Sequence, residues 1–453
     1  MSQQREQPAH LDRAIGLVQA TATNIIGMVG VGPFLVIPFM LTSMGGPHIL
    51  YAWMAGALLA LADGLVYAQL GAALPGSGGP YIYLREAYKP FGLGELMSFV
   101  FIFQVILVAP LGIASGAVGF ADYLRFYWTD MTSLQHDLVA GAVCAAVTAM
   151  LWRKIQDVGR LAVVLLVVVF VTIGWVVVAG LFRFSLAQAF AFPPEAFRLD
   201  ADLVAKLGAT SILAMYSYGG YNQVCNIAEE VRDPVRTVPR SIVLSIFVVA
   251  GLYMLMSTVI LGMIPWQEAK ETRTIASIFI ARTFSDPAQG QLAALAMTIL
   301  IQFVAAASLY AFILGTSRVP FAAARDGHFF SIFARVHPTK HFPHVSLLTV
   351  GLVSVPFCFF SLGQLATWTV QVQVLLCFIW QCAGAILLHR YRKDIPQPFT
   401  MWLYPLPAVA SFVLWLYIFF SGAKEGVLFS FGYLLVAVAA FAVFKKATTK
   451  LRT

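Results

Sequence analysis

Residues 24–38, NIIGMVGVGPFLVIP, set Gly27, Gly30, Gly32, Pro33 and Pro38 inside an otherwise apolar stretch. Glycine loses extra backbone entropy in a helix and proline lacks an N–H, so this run cannot sustain a regular helix. The spacing predicts a helix that opens at the glycines. In hydrocarbon, open backbone is tolerated only where it lines a cavity or is buried in protein, and its freed N–H groups are then available to a bound solute. The stretch reads as half of a substrate site.

The composition around it is that of a membrane protein. Of 453 residues, 60% are hydrophobic and 11% charged, and the mean hydropathy is +0.81, far from a soluble domain. Twelve charge-poor runs approach the ~20 residues that cross a bilayer core. They lie near 14–42, 49–73, 92–117, 137–152, 158–182, 205–228, 241–264, 291–316, 345–361, 367–388, 402–421 and 427–444. Only WRKIQD, residues 152–157, separates the fourth from the fifth. An even number of spans returns both termini to one side. Basic residues concentrate in the 153–160 turn, the 318–340 loop, the 390–393 cluster and Lys445, Lys446, Lys450 and Arg452, which assigns those segments and both termini to the cytoplasm. The net charge of +8 follows from topology, and no nucleic-acid partner is expected. The five cysteines all fall inside spans without metal-type spacing, so neither a disulfide framework nor a metal site is expected.

Within the second span, whose small residues suit close helix packing, stands Asp63. An acid at that depth is a functional candidate for proton or cation handling, against the plainer reading of a neutral side chain bonded to a neighbouring helix. The glycine-rich GSGGPYIYLREAYKPFG from Gly76 reads as a cytoplasmic loop helix, and it lacks the GxxxxGK[ST] pattern of a phosphate cradle. In the sixth span, Gly219 and Gly220 stand among Tyr216, Tyr218, Tyr221 and Asn222, a second break with aromatic walls. It comes five spans after the first. Breaks at matching places in two five-span halves are the pattern of an inverted-repeat transporter, while tight glycine packing is the plainer account of either alone.

The segments GVGPF (30–34), YAQLGAALPGSGGPYIYLREAY (67–88), YSYGGYN (216–222), EEVRDPVRTVPRSI (229–242) and SRVPFAAARDG (317–327) together resemble the amino acid, polyamine and organocation (APC) superfamily, especially its L-type amino acid transporter branch. The resemblance implies an all-α membrane protein of twelve helices with a LeuT-type inverted repeat. On that plan, residues 1–13 are a cytoplasmic segment, 14–182 and 205–388 are the two five-helix repeats, 402–444 are two peripheral helices, and 445–453 are a cytoplasmic tail. It further implies that the N–H groups of Gly30, Val31 and Gly32 hold a substrate carboxylate. The carbonyls of Met28, Tyr216 and Gly219 would hold its ammonium group, Tyr216 would close over it, and Ser217 and Gly220 complete the candidate site. Pro33 has no N–H and Val31 no hydroxyl, so the carboxylate nest is thinner than in many relatives. Val163 occupies the position where many relatives carry a coupling lysine.

The resemblance implies transport of neutral amino acids, by exchange first, with proton coupling through Asp63 or a sodium site near Ser308 as alternatives. Polyamine or cationic amino acid transport is the runner-up, and a non-transporting sensor shares the same pocket. No enzyme is expected, since no nucleophile with a base, HExxH or intramembrane acid pair is found, and no cofactor is implied. Glu229, Glu230, Arg318 and Arg325 form a candidate cytoplasmic gate, the plainer reading being a solvated charged loop of little energetic weight. Animal relatives pair with a glycoprotein through a cysteine between the third and fourth spans. This chain has none there, so no disulfide-linked partner is expected, and the protein is placed in the cell membrane.

Overall fold

The computed structural model describes residues 13–452 other than Val31, Lys154 and Arg273. Among the described residues it is helical throughout, with only two isolated bridges, Ile15 to Val231 and Ser77 to Ile227. Among the described residues, eight helices are long and apolar enough to cross a membrane. They are Leu17–Met44 (counting across the first break), Ile49–Ala73, Gly94–Leu124, Asp157–Leu181, Pro234–Leu261, Pro287–Arg325, Leu362–Tyr391 and Lys424–Lys446. Helices also occupy the other four expected stretches: Ser133–Met150, Ala201–Tyr218, His344–Val353 and Leu406–Ser421.

Several bounds differ from the sequence reading. The third expected span runs on to Leu124 and the fourth starts at Ser133, so the connection between them is shorter than the expected gap between 117 and 137. The seventh begins at Pro234 rather than near 241, because proline at a helix start gives up an N–H that has no intrahelical partner there anyway. The last helix continues through the basic cluster to Arg452, so the expected tail starts inside a helix.

Close helix approach explains the small residues of the second span. The helix Ile49–Ala73 packs along Pro234–Leu261. A Cβ on Gly64 would lie 2.4 Å from Ile246 Cδ1, and one on Gly71 would lie 2.9 Å from Val238 Cγ1. Helix Gly94–Leu124 packs on Pro287–Thr316, and Leu17–Met28 packs on both Pro234–Leu261 and Ile155–Leu181. In the core, helix Leu17–Met28 is buried from Ala20 to Met28. By contrast, Leu428, Leu435 and Val443 of the last helix are exposed, as suits a surface covered by lipid.

Candidate functional site

Both expected breaks are present. The first helix stops at Met28 and resumes at Gly32. The second stops at Tyr218 and resumes as the short turn Gln223–Asn226. The two openings touch, backbone on backbone. Gly220 has φ +125°, and a Cβ there would stand 2.6 Å from the Gly27 carbonyl carbon and 2.9 Å from the Met28 nitrogen.

Side chains tie the openings together. Asn24 Oδ1 accepts the Val224 N–H at 3.0 Å, supplying a partner for a donor freed by the second break. The Tyr253 hydroxyl lies 2.8 Å from the Met28 carbonyl oxygen and 3.0 Å from that of Ser217. Gly30 donates its N–H to the Met28 carbonyl at 3.0 Å. On its far side Gly30 faces Ser308, whose Oγ would be 2.6 Å from an added Cβ. The Tyr216 hydroxyl reaches Ser115 at 2.7 Å.

These groups enclose a cavity of about 120 Å³, around ten times the space one water requires. Met28, Gly30, Gly32, Tyr216, Ser217, Gly219 and Gly220 all line it, so the structure brings together every described member of the expected site. Val31 lies outside the described residues. Among the described residues, no Asp, Glu, Lys, Arg or His belongs to the lining. The polar groups on offer are backbone, hydroxyls and the amides of Gln104, Asn222, Gln223, Asn226 and Gln373. The wall also contains the helix start at Gly32, the helix end at Met28 and Gly219, which caps the helix Ala201–Tyr218, and their partial charges favour an anion at the first and a cation at the other two. That arrangement suits a small zwitterion.

Asp63 is fully buried but is not part of the lining. It accepts hydrogen bonds from the Tyr221 hydroxyl at 2.5 Å, the Trp415 indole N–H at 3.1 Å and the Cys382 thiol at 3.4 Å. Tyr221 and Trp415 do line the cavity, so the acid stands one side chain behind its wall. Trp415 reaches this point from Leu406–Ser421, a helix that the family resemblance places at the periphery.

The four candidate gate residues pair as two ion bridges. Arg318 binds Glu230 through both carboxylate oxygens, Nε to Oε1 at 2.8 Å and Nη2 to Oε2 at 3.2 Å, with both side chains buried. Arg325 holds Glu229 at 2.9 and 3.1 Å nearer the surface. Burial pushes the Glu229 carboxyl up, but the Arg325 guanidinium and the Ser77 hydroxyl outweigh it and leave the group below its ordinary range. The Ala14 and Ile15 N–H groups both donate to the Glu230 carbonyl at 3.0 Å. Arg85 pairs with Asp326 and Tyr81 with His328 beside it. A solvated charged loop does not describe the Glu230 pair.

Sequence reasoning overlooked Asn24, Ser115, Tyr253 and Trp415. Asn24 had a legible signal, a polar residue one turn ahead of a glycine break in an apolar run. The other three look like ordinary core residues until the helices are assembled.

The chain is similar in sequence to known transport proteins. The profile of the amino acid permease family matches residues 15–443. A mouse cationic amino acid transporter 4 is 25% identical over 407 residues, 85% of this chain and 61% of its own length. A branched-chain amino acid permease of Bacillus subtilis is 24% identical over 415 residues, covering 86% and 83% of the two chains. A cystine/glutamate transporter of Pongo abelii is 24% identical over 414 residues, covering 90% and 80%. The chain spans about three fifths of the length of the mammalian cationic transporters it matches. With a family match across almost its whole length and two broken helices meeting at a buried cavity, the chain belongs to the amino acid permease family of the APC superfamily.

Proposed function

We propose that the protein moves neutral amino acids across the cell membrane by alternating access, as an exchanger working without a disulfide-linked partner, with both termini cytoplasmic. The observation that carries this reading is the uncharged cavity at the junction of the two helix breaks. A polar zwitterion with a neutral side chain needs no charged wall, because helix ends and open backbone match both of its charges. Gly30 and Gly32 face the carboxylate, the second break at Tyr216, Ser217, Gly219 and Gly220 faces the ammonium group, and Tyr216 closes over both. The Met28 carbonyl already accepts from Gly30 and Tyr253, so the ammonium group falls to the second break.

Helix pairing supports a twelve-helix LeuT-type arrangement with repeats at 14–182 and 205–388. The second expected span packs on the seventh, the third on the eighth and the fourth on the ninth, each pair separated by five. On this reading Glu230–Arg318 and Glu229–Arg325 hold the cytoplasmic side shut, and opening inward requires both to part. Counterflow tests the proposal: vesicles loaded with an unlabelled neutral amino acid should accumulate a labelled one, and empty vesicles should not.

A second reading, cationic substrates or proton coupling, draws on Asp63 behind the cavity wall and on relatives named as cationic transporters. Asp63→Asn separates it. Under neutral exchange the pH profile of transport is that of the parent, and a flattened profile assigns proton handling to Asp63.

A further inference from the structure

A buried carboxylate stands behind one wall of the cavity and holds it in place. Four aromatic side chains on that wall, Tyr67, Tyr221, Phe378 and Trp415, come from separate parts of the chain: the helix Ile49–Ala73, the second break, the helix Leu362–Tyr391 and the helix Leu406–Ser421. Trp415 stacks on Phe378 with centroids 4.5 Å apart. Phe378 meets Tyr67 edge-on at 6.4 Å, and Tyr67 meets Tyr221 edge-on at 6.1 Å. Asp63, one turn before Tyr67, joins the two ends of this row of rings. Its Oδ2 accepts the Tyr221 hydroxyl at 2.5 Å and its Oδ1 the Trp415 indole N–H at 3.1 Å, with the Cys382 thiol a third donor at 3.4 Å. An indole N–H can only donate, and a buried donor left without a partner is costly. The placement of Trp415 therefore depends on an acceptor at position 63.

We propose that Asp63 is a positioning residue that fixes the aromatic wall against which the substrate's side chain packs, and so sets discrimination among neutral amino acids by side-chain size. The inference rests on the transport reading above. Backbone at the two breaks meets the groups that every amino acid shares, whereas the rings offer apolar area that only a large side chain reaches. An apolar residue at position 63 leaves the Tyr221 hydroxyl and the Trp415 N–H buried without an acceptor. Both rings then turn to find one, and the wall loses its shape. The breaks keep theirs, because Asn24 and Tyr253 bond them independently of Asp63. Asp63 is not part of the lining and acts through Tyr221 and Trp415. The same bonds make the helix Leu406–Ser421 a contributor to the site.

The test is competition, by phenylalanine and by alanine, against exchange of a labelled neutral amino acid in proteoliposomes. In the parent, phenylalanine should compete at a several-fold lower concentration than alanine. Asp63→Ala should raise the phenylalanine concentration required by roughly fivefold to tenfold, leave that of alanine within about twofold, and leave the exchange rate at saturation within about threefold. Asp63→Asn keeps an oxygen for the Trp415 N–H and offers an N–H to the Tyr221 hydroxyl, so it should restore the parental preference. A parent that does not favour phenylalanine, an equal shift for both competitors in Asp63→Ala, or a loss of preference in Asp63→Asn as large as in Asp63→Ala overturns the proposal. Should the alanine variant not be recovered folded, Tyr221→Phe removes one of the two bonds and keeps the ring, and it should weaken competition by phenylalanine but not by alanine. A parental preference there again overturns the proposal. A parent protein that exchanges no amino acid refutes the transport reading instead, so the two failures are distinguishable.

Discussion

The contact between the breaks gives the sharpest mutational test, Gly220→Ala. Gly220 has φ +125°, a region that side-chain-bearing residues enter at a cost of about 1–3 kcal/mol. Its Cβ would lie 2.6 Å from the Gly27 carbonyl carbon and 2.8 Å from the oxygen, about 1 Å inside ordinary contact. Both atoms are backbone, so relief requires the two breaks to part. Strain of that size corresponds to a factor of roughly 5 to 150, and the exchange rate should fall by about ten- to a hundredfold. Gly219→Ala is the control. Gly219 has φ −58°, and the nearest atom to its added Cβ is the Tyr216 carbonyl oxygen at 3.2 Å, so the loss should stay within about threefold. The assay is initial-rate counterflow, with the melting temperature of purified protein reporting whether each variant is folded. Parental exchange in Gly220→Ala, or equal losses in the two variants, would refute the claim that backbone contact between the breaks builds the site.

Gly30→Ala should also impair exchange, because its Cβ would meet Ser308 at 2.6 Å, and adding Ser308→Gly should recover most of the loss. Independent, additive losses in the double-mutant cycle would count against that contact. Arg318→Ala leaves the buried Glu230 carboxylate unpaired and should lower stability by about 3–5 kcal/mol. Arg325→Ala removes a more exposed pair and should change it by less than about 1 kcal/mol, with thermal or denaturant unfolding deciding between them. Glu229 is held below its ordinary value of 4.5 because Arg325 and Ser77 outweigh burial. A depressed folded pKa gives stability above the unfolded value that is lost as pH falls through the folded one. The melting-temperature gap between the parent and Glu229→Gln should therefore be flat from about pH 8 to 5 and close under further acidification. A gap that closes near neutrality would contradict it.

Much of this arrangement was legible in the chain because membranes restrict what backbone can do. Gly30, Gly32 and Pro33 had to open a helix, and open backbone at that depth had to face a cavity or protein. Gly219 and Gly220 repeated the argument five spans later. The charges at Glu229, Glu230, Arg318 and Arg325 were too dense to sit in lipid and marked a candidate cytoplasmic gate, but which acid meets which arginine was not legible. What the chain did not disclose depends on assembly. Tyr253 joins the Met28 and Ser217 carbonyls only because its helix crosses behind both breaks, and no local pattern records that crossing. Trp415 reaches Asp63 from a helix that the family resemblance assigns to the periphery. Helix ends drifted for a simpler reason. Hydropathy marks where lipid begins, whereas Pro234 and Leu124 mark where backbone hydrogen bonding begins and ends.

The measurement closest to the central claim is counterflow into proteoliposomes containing the purified chain, with a panel of neutral, cationic and anionic amino acids. Vesicles loaded with an unlabelled neutral amino acid should take up the labelled one, and vesicles with an empty lumen should not, with or without an imposed proton gradient. Gradient-driven uptake into empty vesicles, or a panel answered only by cationic amino acids, would contradict the account and direct attention to Asp63.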